Sequence, residues 1–246
     1  MDGMKPGHVP LERALSKLGL ASRSQARKLI VDGKVRVNGT IRLDTYFAVV
    51  PEKVRIDIDG MDGSRVTPRT LMLYKPRGCV TTSSDEKGRS TVFSLIPDMD
   101  SHMVAVGRLD WATSGLLIIT NDTRLASNLS DPKNRIPRTY LVSVRGLVTE
   151  AELDIVRRGV RDEGEYLTAE SIVLRKASGK ESHLVVTLLE GKNREIRRIF
   201  DAIKHEVTKL KRVGYGGLTL GDLEPGQHRD LVDDEIRLIF ENAVPE

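Results

Sequence analysis

Apolar positions along this chain change their period more than once. Leu11, Leu15 and Leu18 recur at helical spacing, with Gly19 as a stop, and Ala26, Leu29 and Ile30 form the stripe of a second helix. Ser22 followed by Gln25 fits a capping box at the start of that helix, and Gly33 fits its C-terminal glycine. Val35 and Val37 then alternate with Lys34 and Arg36. Asn38-Gly39 predicts a hairpin turn before Thr40 and Ile41, and Val54, Ile56 and Ile58 add another alternating strand.

Residues 59–69 carry Gly, Ser and Pro without a sustained apolar pattern and read as a linker. Beyond them, strand-like apolar runs recur at 71–74, 103–106, 116–120, 139–144, 172–174, 184–189 and 207–213. Helices are fewer. Thr149 with Glu152 makes a capping box for a helix running to about Arg158, and Asn193 is expected to cap a helix through Ile203. The pattern predicts an α+β chain: a small N-terminal domain over 8–58, a linker over 59–69, and a mainly antiparallel mixed-sheet domain over 70–246.

Composition narrows the class. With 246 residues, 39% of them hydrophobic, the chain can bury a sizeable core. No apolar run approaches the roughly 18–20 residues that span a bilayer, and residues 1–10 lack the apolar segment of a signal peptide, so a soluble cytoplasmic protein is expected. The single cysteine, Cys79, excludes an internal disulfide and a multi-cysteine metal site, and the five histidines are scattered, so no metal is expected. Net charge is only +4, but residues 5–42 hold nine basic residues against two acids. Basic charge confined to one module fits a phosphate-binding surface; a solvated face would look similar.

Candidate chemistry gathers at four places. Asp110 lies on the loop Gly107-Arg-Leu-Asp-Trp-Ala-Thr-Ser-Gly115 between two apolar runs, where it either does chemistry or closes a turn. Lys75-Pro-Arg-Gly78 follows a strand and is expected to present two cations. Residues 133–148 contain Lys133, Arg135, Arg138 and Arg145 without an acid, and enclose Tyr140, which could equally be a core aromatic of a strand. In Gly191-Lys-Asn-Arg-Glu-Ile-Arg-Arg198, Ile196, Ile199, Phe200 and Ile203 make a helical stripe. Arg194, Arg197 and Arg198 lie toward that helix's N-terminal end, where cations are unfavourable and need a phosphate or carboxylate partner.

Residues 11–39, with the helix–helix–Val-x-Val–Asn-Gly order, resemble the alpha-L RNA-binding domain named after a ribosomal small-subunit protein. That resemblance makes Arg23, Arg27, Lys28, Lys34 and Arg36 the RNA contacts. Five further motifs resemble the RsuA-type pseudouridine synthases in that family's order: Tyr74-Lys-Pro-Arg-Gly78, Gly107-Arg-Leu-Asp110 with Thr113-Ser-Gly-Leu-Leu117 and Thr120-Asn-Asp122, Arg138-Thr-Tyr140, Gly191 to Arg198, and Leu223 to Leu231. The likeness implies isomerisation of a uridine in ribosomal RNA, more specifically of the large subunit, without a cofactor. It implies that Asp110 is the essential carboxylate, that Arg197 pairs with it within about 4–6 Å, and that Tyr140 stacks on the flipped base or accepts a proton from it. Arg108 is expected to fill the space left by the flipped base or bind a phosphate, with Lys75, Arg77, Arg138 and Arg194 as further RNA contacts. The implied partner is ribosomal RNA or an assembling subunit, and the protein is expected to act as a monomer.

Two residues depart from the family's habit: Arg138 stands where lysine is frequent, and Glu195 where glutamine is common. The alternative reading is a catalytically silent RNA-binding assembly factor. A carboxylate-pair glycoside hydrolase would need a second acid near Asp110; the nearest, Asp122, fits better as a cap before residues 124–129.

Overall fold

The computed structural model describes residues 7–18, 20–21, 23–59, 67–82, 85–98 and 103–241. The expected stop at Gly19, the Ser22 capping box and most of the 59–69 linker lie outside them. Two compact units form: one from the chain up to Arg69 with Thr120–Ala126 and the stretch ending at Val104, the other from the remainder.

In the first unit, strand β1 (Val9–Pro10) leads into helices α1 (Leu11–Lys17) and α2 (Arg23–Val31), followed by strands β2 (Val35–Val37), β3 (Thr40–Ile41), β4 (Ala48–Val49) and β5 (Ile56–Ile58). Leu11, Ala14, Leu15, Ala26, Ile30, Val35 and Val37 close one small core, as the period of the apolar positions requires. Beyond the end of α2, the Lys34 amide donates to the Leu29 carbonyl and the Gly33 amide to that of Ile30, the bond pair of a glycine-terminated helix. β2 and β3 pair antiparallel across Asn38 and Gly39, whose φ values of 50° and 81° suit a two-residue turn with the left-handed geometry that this dipeptide tolerates.

The rest of the chain, most of it in the second unit, contains strands β6 (Thr70–Lys75), β7 (Val104–Ala105), β8 (Ser114–Thr120), β9 (Arg138–Arg145), β10 (Val160–Asp162), β11 (Glu165–Leu167), β12 (Ser171–Ala177), β13 (Glu181–Leu188), β14 (Val207–Tyr215), β15 (Leu218–Thr219) and β16 (His228–Asp230). Its helices are α3 (Thr123–Ser130), α4 (Glu150–Arg158), α5 (Glu195–Ala202) and α6 (Asp233–Glu241). Among the described residues nine strands form one sheet, ordered β12-β13-β9-β14-β8-β6-β16, with β15 on β14 and β7 on β8. β9, β12, β13 and β14 pair antiparallel, whereas β14 and β8 run parallel, so the α+β mixed sheet is mostly antiparallel.

The predicted strands all form. β8 is buried on both faces, which explains why its run reads as continuously apolar rather than alternating. Thr149 and Glu152 cap α4 reciprocally, as expected. Asp122 caps α3 by accepting from the Arg124 and Leu125 amides at 2.8 and 3.0 Å, which removes it as a second catalytic acid.

Helix α5 corrects one expectation. Its N-cap is Arg194, with φ 49°, not Asn193, and no side chain caps the Arg194 position. Instead Glu195 reaches back to accept from the Lys192 amide at 3.1 Å. The hairpin β10–β11 and the C-terminal helix α6 were not anticipated, because their short runs mix charge and apolar residues without a clear period.

Candidate active site

The loop carrying Asp110 is fixed at both ends. On its C-terminal side Gly115 has φ 110°, and a Cβ placed there would lie 2.1 Å from the Arg212 carbonyl oxygen of β14, so only glycine permits this parallel approach. On its N-terminal side the Val106 amide donates to the Ile118 carbonyl, and the Thr81 hydroxyl donates to the Leu109 carbonyl at 2.9 Å. Within the loop the Thr113 amide bonds back to the Asp110 carbonyl.

Beneath the loop lies Lys75, completely buried at the end of β6. Its ammonium donates to the carbonyls of Pro76, Asp110 and Thr113 at 3.1, 3.0 and 2.7 Å. This corrects the expectation that Lys75 contacts RNA: all three of its protons bond the backbone of its own domain. Burial lowers its pKa, and the Asp110 carboxylate opposes that shift.

Helix α5 brings Arg197 to the acid. Its Nε donates to Asp110 Oδ2 at 3.2 Å, its Nη1 to the Val207 carbonyl at 3.1 Å, and its Nη2 reaches the Thr113 hydroxyl at 3.5 Å. Burial pushes the Asp110 carboxyl up, but the Thr113 hydroxyl and the Arg197 guanidinium facing it outweigh burial, with Arg194 adding to them, so its pKa falls below the ordinary aspartate value. Asp110 is therefore ionised at neutral pH, with Oδ1 buried and without a hydrogen bond.

Asp110 lines a cleft of about 740 Å³, together with residues that include Arg108, Trp111, Tyr140, Arg194 and Arg212. A volume of this size accommodates a nucleotide-sized ligand, in the roughly 300–1,000 Å³ range of small-molecule sites. Tyr140 is buried on β9, and Arg212 of β14 is its cross-strand partner. Six of the lining residues are basic (Arg89, Arg108, Arg138, Lys192, Arg194, Arg212) and three acidic (Asp110, Glu190, Glu195), so the cleft favours an anionic ligand.

The other expected contacts divide. Arg108 and Arg194 are exposed and line the cleft, whereas Arg77 is exposed and lies outside the lining. Arg138 also lines the cleft but is buried, with its guanidinium on the carbonyls of Leu189 and Leu129 and the Tyr215 hydroxyl, so it holds strands and loops together. Arg198 finds its carboxylates in Asp162 and Glu165 of the unanticipated hairpin. In the first unit Arg23, Lys28 and Lys34 are exposed, Arg27 pairs with Glu12 at 2.9 Å, and Arg36 with Asp59 at 3.2 Å. Cys79 is buried and burial raises its pKa, which leaves an inert thiol. Among the described residues no group of three His, Cys, Asp or Glu side chains is placed to hold a metal.

Sequence reasoning missed Arg212 and Trp111 as lining residues. The period of β14 could have found the first, since buried Leu210 and Arg212 share one face. It flagged Glu195 only as a departure. Glu195 is buried, its Oε1 lacks a hydrogen bond, and burial beside Glu190 pushes its pKa up to about 7.

Comparison with known proteins matches residues 69–202 to the RNA pseudouridylate synthase family and residues 9–54 to the S4 domain. The chain is 37% identical to ribosomal large subunit pseudouridine synthase B of Bacillus subtilis (strain 168), over 92% of this chain and 93% of that one. It is 36% identical to an uncharacterized RNA pseudouridine synthase of Aquifex aeolicus (strain VF5), covering 94% of each. A solved pseudouridylate synthase superposes with a TM-score of 0.67 at 26% identity, over 94% of this chain and 99% of the other.

Proposed function

Because the chain belongs to the RNA pseudouridylate synthase family, we propose that it converts a specific uridine of large-subunit ribosomal RNA to pseudouridine, with Asp110, Arg197 and Tyr140 as the catalytic residues. The observation that carries this reading is the ionised Asp110, which lines the cleft on a braced loop at 3.2 Å from Arg197, with one buried oxygen left without a hydrogen bond. The name of the Bacillus subtilis relative supports the substrate class.

The reaction moves the base from its N1 to its C5 linkage with no net change in atoms or electrons. A carboxylate near the ribose can act as a nucleophile at the anomeric carbon or as a base at the sugar, and both roles need the ionised form that Arg197 and Thr113 maintain. Tyr140 offers a ring on which the extruded base stacks, a contact worth on the order of 1–3 kcal/mol that offsets part of the cost of flipping. Arg108 and Arg194, exposed in the lining, are placed to meet RNA phosphates or the gap left in the stack.

In this reading residues 8–58 grip structured RNA through Arg23, Arg27, Lys28, Lys34 and Arg36, residues 59–69 link, and residues 70–246 carry out the chemistry, acting as a monomer in the cytoplasm. No helix among the described residues is long and apolar enough to cross a membrane. An ionised carboxylate lining a cleft and paired with Arg197 favours catalysis over the silent assembly factor. Asp110→Asn tests the proposal: pseudouridine formation in ribosomal RNA should fall below detection while RNA affinity changes less than about twofold, since the change is isosteric and removes one charge from many contacts. Retained turnover would remove Asp110 from the mechanism.

A further inference from the structure

Among the described residues, five buried side-chain atoms lack a hydrogen bond, and three of them, on Asp110, Glu195 and Arg212, belong to residues lining the same cleft. Asp110 already has a role. Arg212 has none, and its position is unusual: only 3% of its surface is exposed, yet no carboxylate pairs with it among the described residues. Its Nε donates to the Leu116 carbonyl at 2.7 Å, and its guanidinium lies 5.1 Å from the Tyr215 ring centroid, while Nη2 is left without a partner. Burying a guanidinium without an anion is costly, so the site is incomplete until an acceptor enters.

We propose that Arg212 is a further catalytic residue, whose Nη2 donates to a carbonyl oxygen of the target uracil and holds the base as an anion while it is detached. This rests on the pseudouridine synthase reading above. Arg212 sits cross-strand from Tyr140, so the ring that would stack on the base and the guanidinium that would meet its edge project from one sheet face, with Cβ atoms about 4.5–5.5 Å apart. The neighbouring lining residues Leu188, Leu210 and Tyr215 are buried and largely apolar. An unbonded guanidinium nitrogen beside these residues, across the strand pair from the Tyr140 ring, suits a carbonyl on the edge of a planar base.

The chemistry needs such a group. When the N1–C1′ bond breaks, its electron pair stays on the base and spreads from N1 onto the carbonyl oxygens, leaving C1′ electron-deficient. After rotation the C5–C1′ bond forms from the ring's electrons, C5 loses its proton, N1 takes one up, and no oxidant or reductant is used. A fixed guanidinium bonds the base more strongly as negative charge grows, which stabilises the transition state more than the bound substrate.

The test uses the full chain and two variants, Arg212→Gln and Arg212→Lys, each checked for native circular dichroism. With large-subunit ribosomal RNA, Arg212→Gln should lower kcat by about 10²–10³-fold with KM within threefold, the size expected for one lost donor to developing charge, and Arg212→Lys should fall between. Calorimetry with small ligands gives a second reading. Wild type should bind barbiturate, a planar pyrimidine that is anionic at neutral pH, at least tenfold more tightly than neutral uracil, and Arg212→Gln should lose that preference. An unchanged kcat, an effect confined to KM, or an equal preference in the folded variant would overturn the role. If wild type does not modify the ribosomal RNA, the substrate reading falls while the ligand comparison still decides Arg212. If Arg212→Gln does not fold, Arg212→Lys decides: a lowered kcat with KM within threefold is required, and an unchanged kcat or an effect confined to KM overturns the role.

Discussion

Replacing Lys75 by methionine should both destabilise the second unit and slow its chemistry. The lysine bonds three carbonyls, and two of them, Asp110 and Thr113, are on the loop that carries the acid. Methionine keeps the volume but donates nothing. The Asp110 carbonyl retains its bond from the Thr113 amide, so two carbonyls, those of Pro76 and Thr113, lose this donor. At about 1–3 kcal/mol each that is about 2–6 kcal/mol, and relief of a buried charge offsets part of it, leaving about 2–4 kcal/mol. For a unit of this size the melting temperature should fall by roughly 5–15 °C. Single-turnover pseudouridine formation at 25 °C, where the variant is still folded, should fall on the order of 10²-fold because the carboxylate is no longer held against Arg197. Urea unfolding and the single-turnover rate are the two measurements. A variant within 0.5 kcal/mol of wild type, by the resolution such melts allow, and with an unchanged rate would show that Lys75 does not brace the loop.

Three further outcomes can be checked. Arg23→Glu with Arg27→Glu should weaken ribosomal RNA binding and lower the slope of log K against log salt by about 1.4–1.8, the share of two phosphate contacts; an unchanged slope in filter binding would place that helix away from RNA. Glu195→Gln should remove a pH dependence of stability. The carboxyl's folded pKa of about 7 exceeds its ordinary value of 4.5, so wild type loses stability as pH rises from about 4.5 through 7, by at most about 3 kcal/mol, and parallel urea curves for variant and wild type at pH 5 and 8 would contradict this. Gly115→Ala should cost more than about 3 kcal/mol or prevent folding, because its Cβ would meet the Arg212 carbonyl at 2.1 Å; a thermal melt matching wild type would show that the β8–β14 contact adapts.

Much of the fold was legible because burial imposes a period. The strands of the large sheet announce themselves as apolar runs, and Thr149-x-x-Glu152 and Asn38-Gly39 act through bonds local enough to read from spacing. The pairing of Asp110 with Arg197, 87 residues apart, came from the family's motif order; no local spacing could place it. Errors concentrated on cations. Lys75 and Arg138 look like surface charges in a one-dimensional reading, yet each lies on the inward parity of its strand, Lys75 with Leu71 and Leu73, Arg138 with Tyr140 and Val142. Carbonyls from distant loops satisfy them, and no sequence pattern announces those acceptors. Asn193 failed as a cap because Glu195, two residues on, bonds back to the preceding turn and sets the helix start itself.

The position of β14 has a consequence for how the molecule comes into being. That strand is inserted between β9 and β8, although it follows both in the chain, and it contributes Arg212 to the cleft. At about 5–20 residues per second of synthesis, the roughly 90 residues between Ser114 and Val207 separate the two parallel neighbours by about 5–20 s. During that time the apolar edge of β8 waits without its central partner. The sheet can therefore close only once nearly the whole chain has been made, and pairings so distant in sequence are slow to form. A nascent or truncated chain lacking β14 would present an open strand edge and no assembled cleft, so aggregation, not partial activity, is the expected fate of incomplete molecules.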